Sequence, residues 1–257
     1  LGGSSEVLFN EVEGAIKIDP SNNRGTWEGW GLSLAWLANL FGEDEHLADA
    51  LFTMQESVQL VEGHTEMGSL PALGLNIARY NAGGTCGGQR DGVDVYQGVS
   101  TDACQFEGTQ CKWSGTTDYR RIQTFWMNWQ SKDPTDTSSW RWNVDLNQRK
   151  MLLNAKERNP DMIFELFSNT PPWWMLHNKD VPGNGGNNLQ WWNEGDFAYY
   201  LATVAKYYKD NFGIQWQTVS PFNEPRGGNF CWWRIPNSQE GCCMDLRQQM
   251  RVIPKLR

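Results

Sequence analysis

Four short apolar runs, separated by stretches of helical periodicity or polar loop, confine this chain to strands alternating with helices. Gly29 to Leu34, Leu73 to Tyr80, Met162 to Phe167 and Ile214 to Phe222 each read as a strand. Glu43 to Gln59 places Leu47, Ala50, Leu51, Met54 and Val58 at helical spacing, and Asp145 to Arg158 predicts a second helix stopped by Asn159-Pro160. A third helix starts at Asn193 or Asp196, sets Phe197, Leu201, Val204 and Tyr208 on one face, and stops at Phe212-Gly213. Parallel neighbours need a crossover as long as a helix, so this alternation predicts an α/β fold with a parallel sheet. At 257 residues the chain can bury a sizeable core.

Reactive residue types gather around the predicted strand ends. In order they are Trp30-Gly31, Arg79-Tyr80-Asn81, Asn169-Thr170-Pro171-Pro172-Trp173-Trp174 and Asn223-Glu224-Pro225. Barrel enzymes keep their catalytic groups where strands end. A carboxyl to protonate a glycosidic oxygen, amides for sugar hydroxyls, an Arg and Trp platforms are what a glycosidase uses. Glu224 is the candidate acid. The second carboxylate, about 5 to 5.5 Å away in a retaining enzyme, does not stand out. Each element has a bland reading beside this one. Asn-Glu-Pro is ordinary turn chemistry, Arg79 fits equally a surface cation paired with any acid, and Trp173-Trp174 could plug a barrel rim. Gly83 to Gly88 lacks the Lys-Ser/Thr ending of a phosphate loop and is discarded. The long polar stretch from Asn81 to Tyr119 reads as a binding wall.

Charge and cysteine usage narrow the function classes. Twenty-two Lys and Arg against 30 Asp and Glu give a net charge of −8, which repels a nucleic acid. No run approaches the roughly 18 apolar residues of a membrane span. Fifteen Trp exceed what a core requires, and aromatic faces suit the apolar faces of sugar rings. Cys86, Cys104, Cys111, Cys231, Cys242 and Cys243 lack zinc-site spacing, and His46, His64 and His177 are scattered, so no metal and no cofactor is expected. Disulfides in a secreted, extracellular protein fit better, with Cys104–Cys111 and Cys231–Cys242 as short closures. Leu1 in place of Met points to a processed or shortened start.

Taken together these residues resemble fungal members of glycoside hydrolase family 30, especially the endo-β-1,6-galactanase branch. The likeness rests on Asp19-Pro20, Gly25 to Trp36 with its Gly-Trp-Gly-x-Ser-Leu-Ala-Trp pattern, and Leu75 to Gly84. It continues through Ser168 to Met175, Tyr200 to Gly213, Ser220 to Pro225 and Gln239-Glu240-Gly241-Cys242. The resemblance implies a (β/α)8 TIM barrel with a side β-domain, of which about the first four βα units are present. Residues 1–23 are then a lead-in strand of the side β-structure, 24–242 the N-terminal half of the barrel, and 243–257 a divergent basic tail. It further implies Glu224 as general acid/base, Asn223 at the sugar 2-hydroxyl, and Arg79 supporting the nucleophile. Trp30, Asn169 and Trp174, with Trp173 beside them, line the sugar subsite. A β-1,6-linked galactan is the implied polysaccharide substrate.

About thirty residues follow Glu224, too few for the other half of a barrel, and the family's nucleophilic Glu falls beyond this chain. In the tail, Arg247, Arg251, Lys255 and Arg257 against the single acid Asp245 oppose the acidic body. Open sheet edges predict self-association. A catalytically inactive, lectin-like half barrel using Trp30, Trp173, Trp174 and the long loop is the alternative from another class, and a β-1,6-glucanase is the rival within the family.

Overall fold

The computed structural model describes residues 19, 21–22, 25–59, 70–85, 122–127, 131, 133–179, 181, 186–225 and 240–257, and the backbone of 88–90 and 93–95. The lead-in expected over residues 1–23 and most of the long loop lie outside the described residues.

Along the chain, β1 (Gly31–Ser33) is followed by α1 (Leu37–Phe41) and α2 (Glu45–Phe52), and then by β2 (Ile77–Asn81). A short antiparallel hairpin, β3 (Gly88–Arg90) with β4 (Val93–Val95), precedes α3 (Leu146–Arg158) and β5 (Ile163–Phe167). After α4 (Glu194–Phe212) come β6 (Trp216–Ser220) and α5 (Leu246–Val252). The four longer-range strands form one parallel sheet in the order β1-β2-β5-β6. Parallel strands laid down in chain order with a helical crossover after each are the opening βα units of a (β/α)8 barrel.

All four expected strands and all three expected helices are present, with shorter bounds. The first helix ends at Phe52 rather than Gln59 because Thr53 turns to extended backbone, and Val58 is drawn into an antiparallel bridge with Leu70. The α4 stop is as expected: Gly213 is left-handed at φ 63°, and its N–H reaches the carbonyls of Lys209 and Tyr208.

Strand alternation divides the sheet into two faces. Ala78 and Tyr80 of β2, and Phe164 and Leu166 of β5, point into the core beneath Met151, Leu152 and Ala155 of α3 and Phe197, Leu201, Val204 and Tyr208 of α4. Ile77, Arg79, Ile163 and Glu165 point the other way and are half-buried. A register shift between Phe164 and Glu165 lets Trp216 of β6 join the core side, while Thr218 stands opposite Glu165. Each fully buried Leu, Phe or Val on the covered face contributes about 1.5–3 kcal/mol.

The segment expected as a divergent tail is packed onto the fold. The Asp245 side chain caps α5 by accepting from the Gln248 N–H at 2.8 Å, and Gln248 and Val252 are buried. Two of its basic residues answer a buried acid. The Glu194 carboxylate, at the start of α4, accepts from Arg251 (Nη2 2.7 Å, Nε 3.0 Å) and Lys255 (Nζ 3.2 Å). Burial pushes the Glu194 pKa up, but the bonds from Arg251, Lys255 and Gln248 outweigh that and hold it below the usual range.

Candidate functional site

The C-terminal strand ends meet along one edge of the sheet. Leu34, after β1, donates its N–H to the Arg79 carbonyl at 2.9 Å; Ala82, after β2, donates to Phe167 at 2.8 Å; Ser168, after β5, donates to Ser220 at 3.1 Å. These bonds carry the sheet past its formal ends and set Asn81, at the end of β2, and the residues after the other strands, Trp36, Asn169 and Asn223-Glu224, at its C-terminal rim.

Glu224 stands in the open on that rim. Its backbone is left-handed at φ 47°, a conformation that costs a non-glycine residue about 1–3 kcal/mol and that clusters at functional sites. Its side chain is exposed, and Asn223 beside it is half-buried. The next residue is tied down from the C-terminal helix, where the Gln249 amide donates to the Pro225 carbonyl at 3.1 Å.

Arg79 lies on the uncovered face, two residues below the rim. Its guanidinium sits 4.0 Å over the Phe167 ring, and its Nε is 4.0 Å from Glu165 Oε1. Glu165 also accepts from Thr218 Oγ1 at 2.8 Å. Glu165 escaped the sequence reading although the signal was there: a charge at the centre of the apolar run Ile163–Phe167 must face away from the core.

Asn81 and Asn169 are held from behind by a buried polar lattice. Gln148 brackets the Asn81 backbone, accepting its N–H at 2.9 Å and donating to its carbonyl at 3.1 Å. The Asn81 side-chain oxygen accepts the Asn169 N–H at 3.1 Å. Gln148 also donates to Asp145 Oδ2 at 2.7 Å, to which the Tyr80 hydroxyl donates as well, with the Tyr208 hydroxyl 2.6 Å from that of Tyr80. Burial raises the Asp145 pKa to about 7, against the pull of the bonds from Tyr80 and Gln148.

Three expectations are corrected. Trp30 precedes β1 and lies at the N-terminal edge of the sheet, 70% exposed, with its ring tilted 60° to that of Trp27 at 4.8 Å between ring centres. The Trp that follows β1 at the rim is Trp36; an apolar run shows that a strand exists but not where its ends fall. Trp173 and Trp174 are 1% and 6% exposed, so neither offers an open platform for a sugar or for the lectin-like surface. The Trp173 backbone N–H donates to the Gly84 carbonyl at 2.8 Å, which fixes the chain there, and the Trp174 indole donates to the Trp126 carbonyl at 3.0 Å, which turns that ring inward. Cys242 is a buried free thiol, its pKa pushed up to about 12 by burial, and Cys243 is the disulfide-bonded cysteine. Neighbouring residues in non-helical backbone face opposite ways, so only one of the pair meets a partner. Cys104, Cys111 and Cys231 lie outside the described residues.

Among the described residues no three His, Cys, Asp or Glu side chains group as a metal site, and no helix is long and apolar enough to cross a membrane. A groove of about 430 Å³ on α4, lined by Trp142, Tyr199, Lys206, Tyr207 and Asp210 among others, includes none of the rim residues.

The family model for O-glycosyl hydrolase family 30 matches residues 13–255, through α5 as well as the sheet. The chain is 42% identical over 251 residues to an endo-beta-1,6-galactanase of Hypocrea rufa, covering 96% of this chain and 47% of that protein. Among solved structures it resembles a conserved exported protein from Bacteroides fragilis, with TM-score 0.64, 21% identity, and 93% of this chain on 42% of that one. It also resembles the catalytic domain of GH30 xylanase C from Talaromyces cellulolyticus, with TM-score 0.52, 17% identity, and 93% of this chain on 44% of that one. The chain therefore spans about half the length of the galactanase it matches, and the two structural likenesses show the fold alone.

Proposed function

The chain belongs to glycoside hydrolase family 30, and on that premise we propose that it works as a retaining glycosidase on β-1,6-linked galactan, such as the side chains of arabinogalactan. The observation that carries the reading is Asn223-Glu224 beyond the C-terminal end of the fourth parallel strand, on the edge shared with Asn81 and Asn169. The 42% identity to a β-1,6-galactanase supports the choice of sugar.

In this reading Glu224 protonates the leaving glycosidic oxygen and then, as the carboxylate, activates the water that releases the sugar. Its exposed place at the rim gives the acid access to a polymer that could not enter an enclosed pocket. Asn223 contacts the sugar 2-hydroxyl, Arg79 supports the attacking carboxylate, and Asn169, 4% exposed, shapes the subsite from beneath rather than as an open surface. That carboxylate, about 5–5.5 Å from the acid in a retaining enzyme, belongs to the portion of the relatives that this chain does not span. A secreted, extracellular location accords with the disulfide at Cys243, since such bonds persist in oxidising compartments. Self-association through the edges of β1 and β6, which carry no further strand among the described residues, completes the reading.

The test uses a form spanning the full length of the relatives. Glu224→Gln is expected to lose about 10²–10⁴ in hydrolysis of β-1,6-galactan, with sugar binding retained. Unchanged turnover would remove Glu224 from the acid role. Faster hydrolysis of β-1,6-glucan than of β-1,6-galactan by the parent would overturn the substrate choice in favour of a glucanase.

A further inference from the structure

Glu240 is fully buried, and every hydrogen bond traced to it runs inward from a donor. Its Oε1 accepts from the Thr85 hydroxyl at 2.8 Å and the Ile122 N–H at 2.7 Å, and its Oε2 accepts from the Asn81 side-chain NH2 at 3.1 Å. Burying a carboxylate is costly unless donors replace its water. Among the described residues these donors come from two stretches of chain, so the carboxylate sits where the end of β2 with the turn after it meets the segment at Ile122.

The contact with Asn81 has a directional consequence. A side-chain amide presents a donor group on one side and an acceptor on the other. With its NH2 committed to Glu240, Asn81 must aim its oxygen the other way, and there it accepts the Asn169 N–H at 3.1 Å. Gln148 fixes the Asn81 backbone on both its polar groups, so the amide is the remaining degree of freedom. We propose that Glu240 is a positioning residue whose carboxylate orients the Asn81 amide and thereby holds Asn169 in place on the rim of the sugar site. The sugar-site part of this statement rests on the function proposed above.

Glu240→Gln breaks the pattern without changing size. The Gln oxygen can satisfy Thr85 and Ile122 only by turning its own NH2 toward the NH2 of Asn81, donor against donor. Asn81 then flips and presents NH2 to the Asn169 N–H. Combining Asn81→Asp with Glu240→Gln reverses the polarity of the pair and satisfies all four donors again: the Gln amide donates to the new Asp, which also accepts from Asn169.

Two measurements on the 257-residue chain test this: amide exchange at Asn169 by NMR, and titration with β-1,6-galactotriose followed by tryptophan fluorescence. E240Q is expected to lower Asn169 protection about tenfold and raise the galactotriose Kd about tenfold, the scale of leaving one buried donor unpaired. N81D/E240Q is expected to return both to within about threefold of the parent on the same scale. A variant E240Q that is merely less heat-stable, with Asn169 protection and Kd unchanged, overturns the proposal, and so does a double variant no better than the single one. Should E240Q fail to fold, N81A removes the acceptor of the Asn169 N–H and takes over the test, with the same loss expected and unchanged protection decisive against. A parent chain that does not bind galactotriose counts against the galactan reading, while Asn169 protection still judges Glu240.

Discussion

The two faces of the four-stranded sheet are made from alternate residues of the same strands, yet they do different work. On one, Ala78, Tyr80, Phe164 and Leu166 lie under α3 and α4 with almost no exposure. On the other, Ile77, Arg79, Ile163, Glu165 and Thr218 are half-buried or exposed, and three of these five are polar. The covered face supplies the stability that holds the strands in register, and the open face carries charge toward the rim at which Glu224 stands. A parallel sheet normally has both faces covered, so the difference between these two is the property most open to experiment.

The largest expected effect comes from cutting one residue on each face. Leu166→Ala should cost about 2–5 kcal/mol, because the buried site cannot collapse around the lost atoms. Ile163→Ala, three positions earlier and only half-buried on the open face, should cost about 1–1.5 kcal/mol, as less apolar surface there leaves water on folding. Urea unfolding of the two variants measures both. Equal losses would break the comparison, and would mean that the open face is covered in solution, as self-association of this chain would do.

The next effect is one of pH and belongs to the covered side alone. Asp145 faces Tyr80, Tyr208, Gln148 and Arg149, and its folded-state pKa of about 7 lies above the roughly 3.9 of an unfolded chain. Between those values the folded state holds a proton that the unfolded state has lost, so stability falls as pH rises from about 4 to 7 and is level above. Asp196, its pKa raised by burial, acts in the same direction as Asp145, while Glu45, Glu194 and Asp245 have lowered pKa values, whose stabilisation is lost as pH falls through and below the usual carboxylate range, at the acid end of this window. Melting temperatures of the parent should therefore decline from pH 5 to 7.5. Asp145→Asn should flatten that decline, and an unchanged slope would assign the titration to another group.

Which of these features could be read from the sequence follows from how local their causes are. The strands and α4 were legible because apolar spacing and the Gly213 stop act within a few residues. The rim positions of Asn81, Asn169 and Glu224 followed from strand ends. What escaped depends on partners far along the chain. Glu240 makes sense only against Asn81, Thr85 and Ile122, 118 to 159 residues earlier, and Arg251 of α5 only against Glu194, 57 residues before it. Trp30 was assigned to the rim because hydrophobic patterning locates a strand without fixing its ends, and β1 proved to be three residues long. The Trp173-Trp174 pair shows the converse: residue type argues for a sugar platform, while both rings are buried and the Trp174 indole is tied to the distant Trp126 carbonyl.

The smallest effect sharpens the comparison most. Arg79 and Glu165 are the charged pair of the open face, with side chains 38% and 29% exposed and a separation of 4.0 Å. At that exposure water screens the pair, and a double-mutant cycle with Arg79→Met and Glu165→Gln should give a coupling below about 1 kcal/mol. The same cycle in high salt should give less still, since exposed pairs are screened over a few ångströms. A coupling well above 1 kcal/mol, insensitive to salt, would show that the pair is out of reach of water. The open face would then be open only in the isolated chain, and the contrast with the covered face would be one of partner rather than of composition.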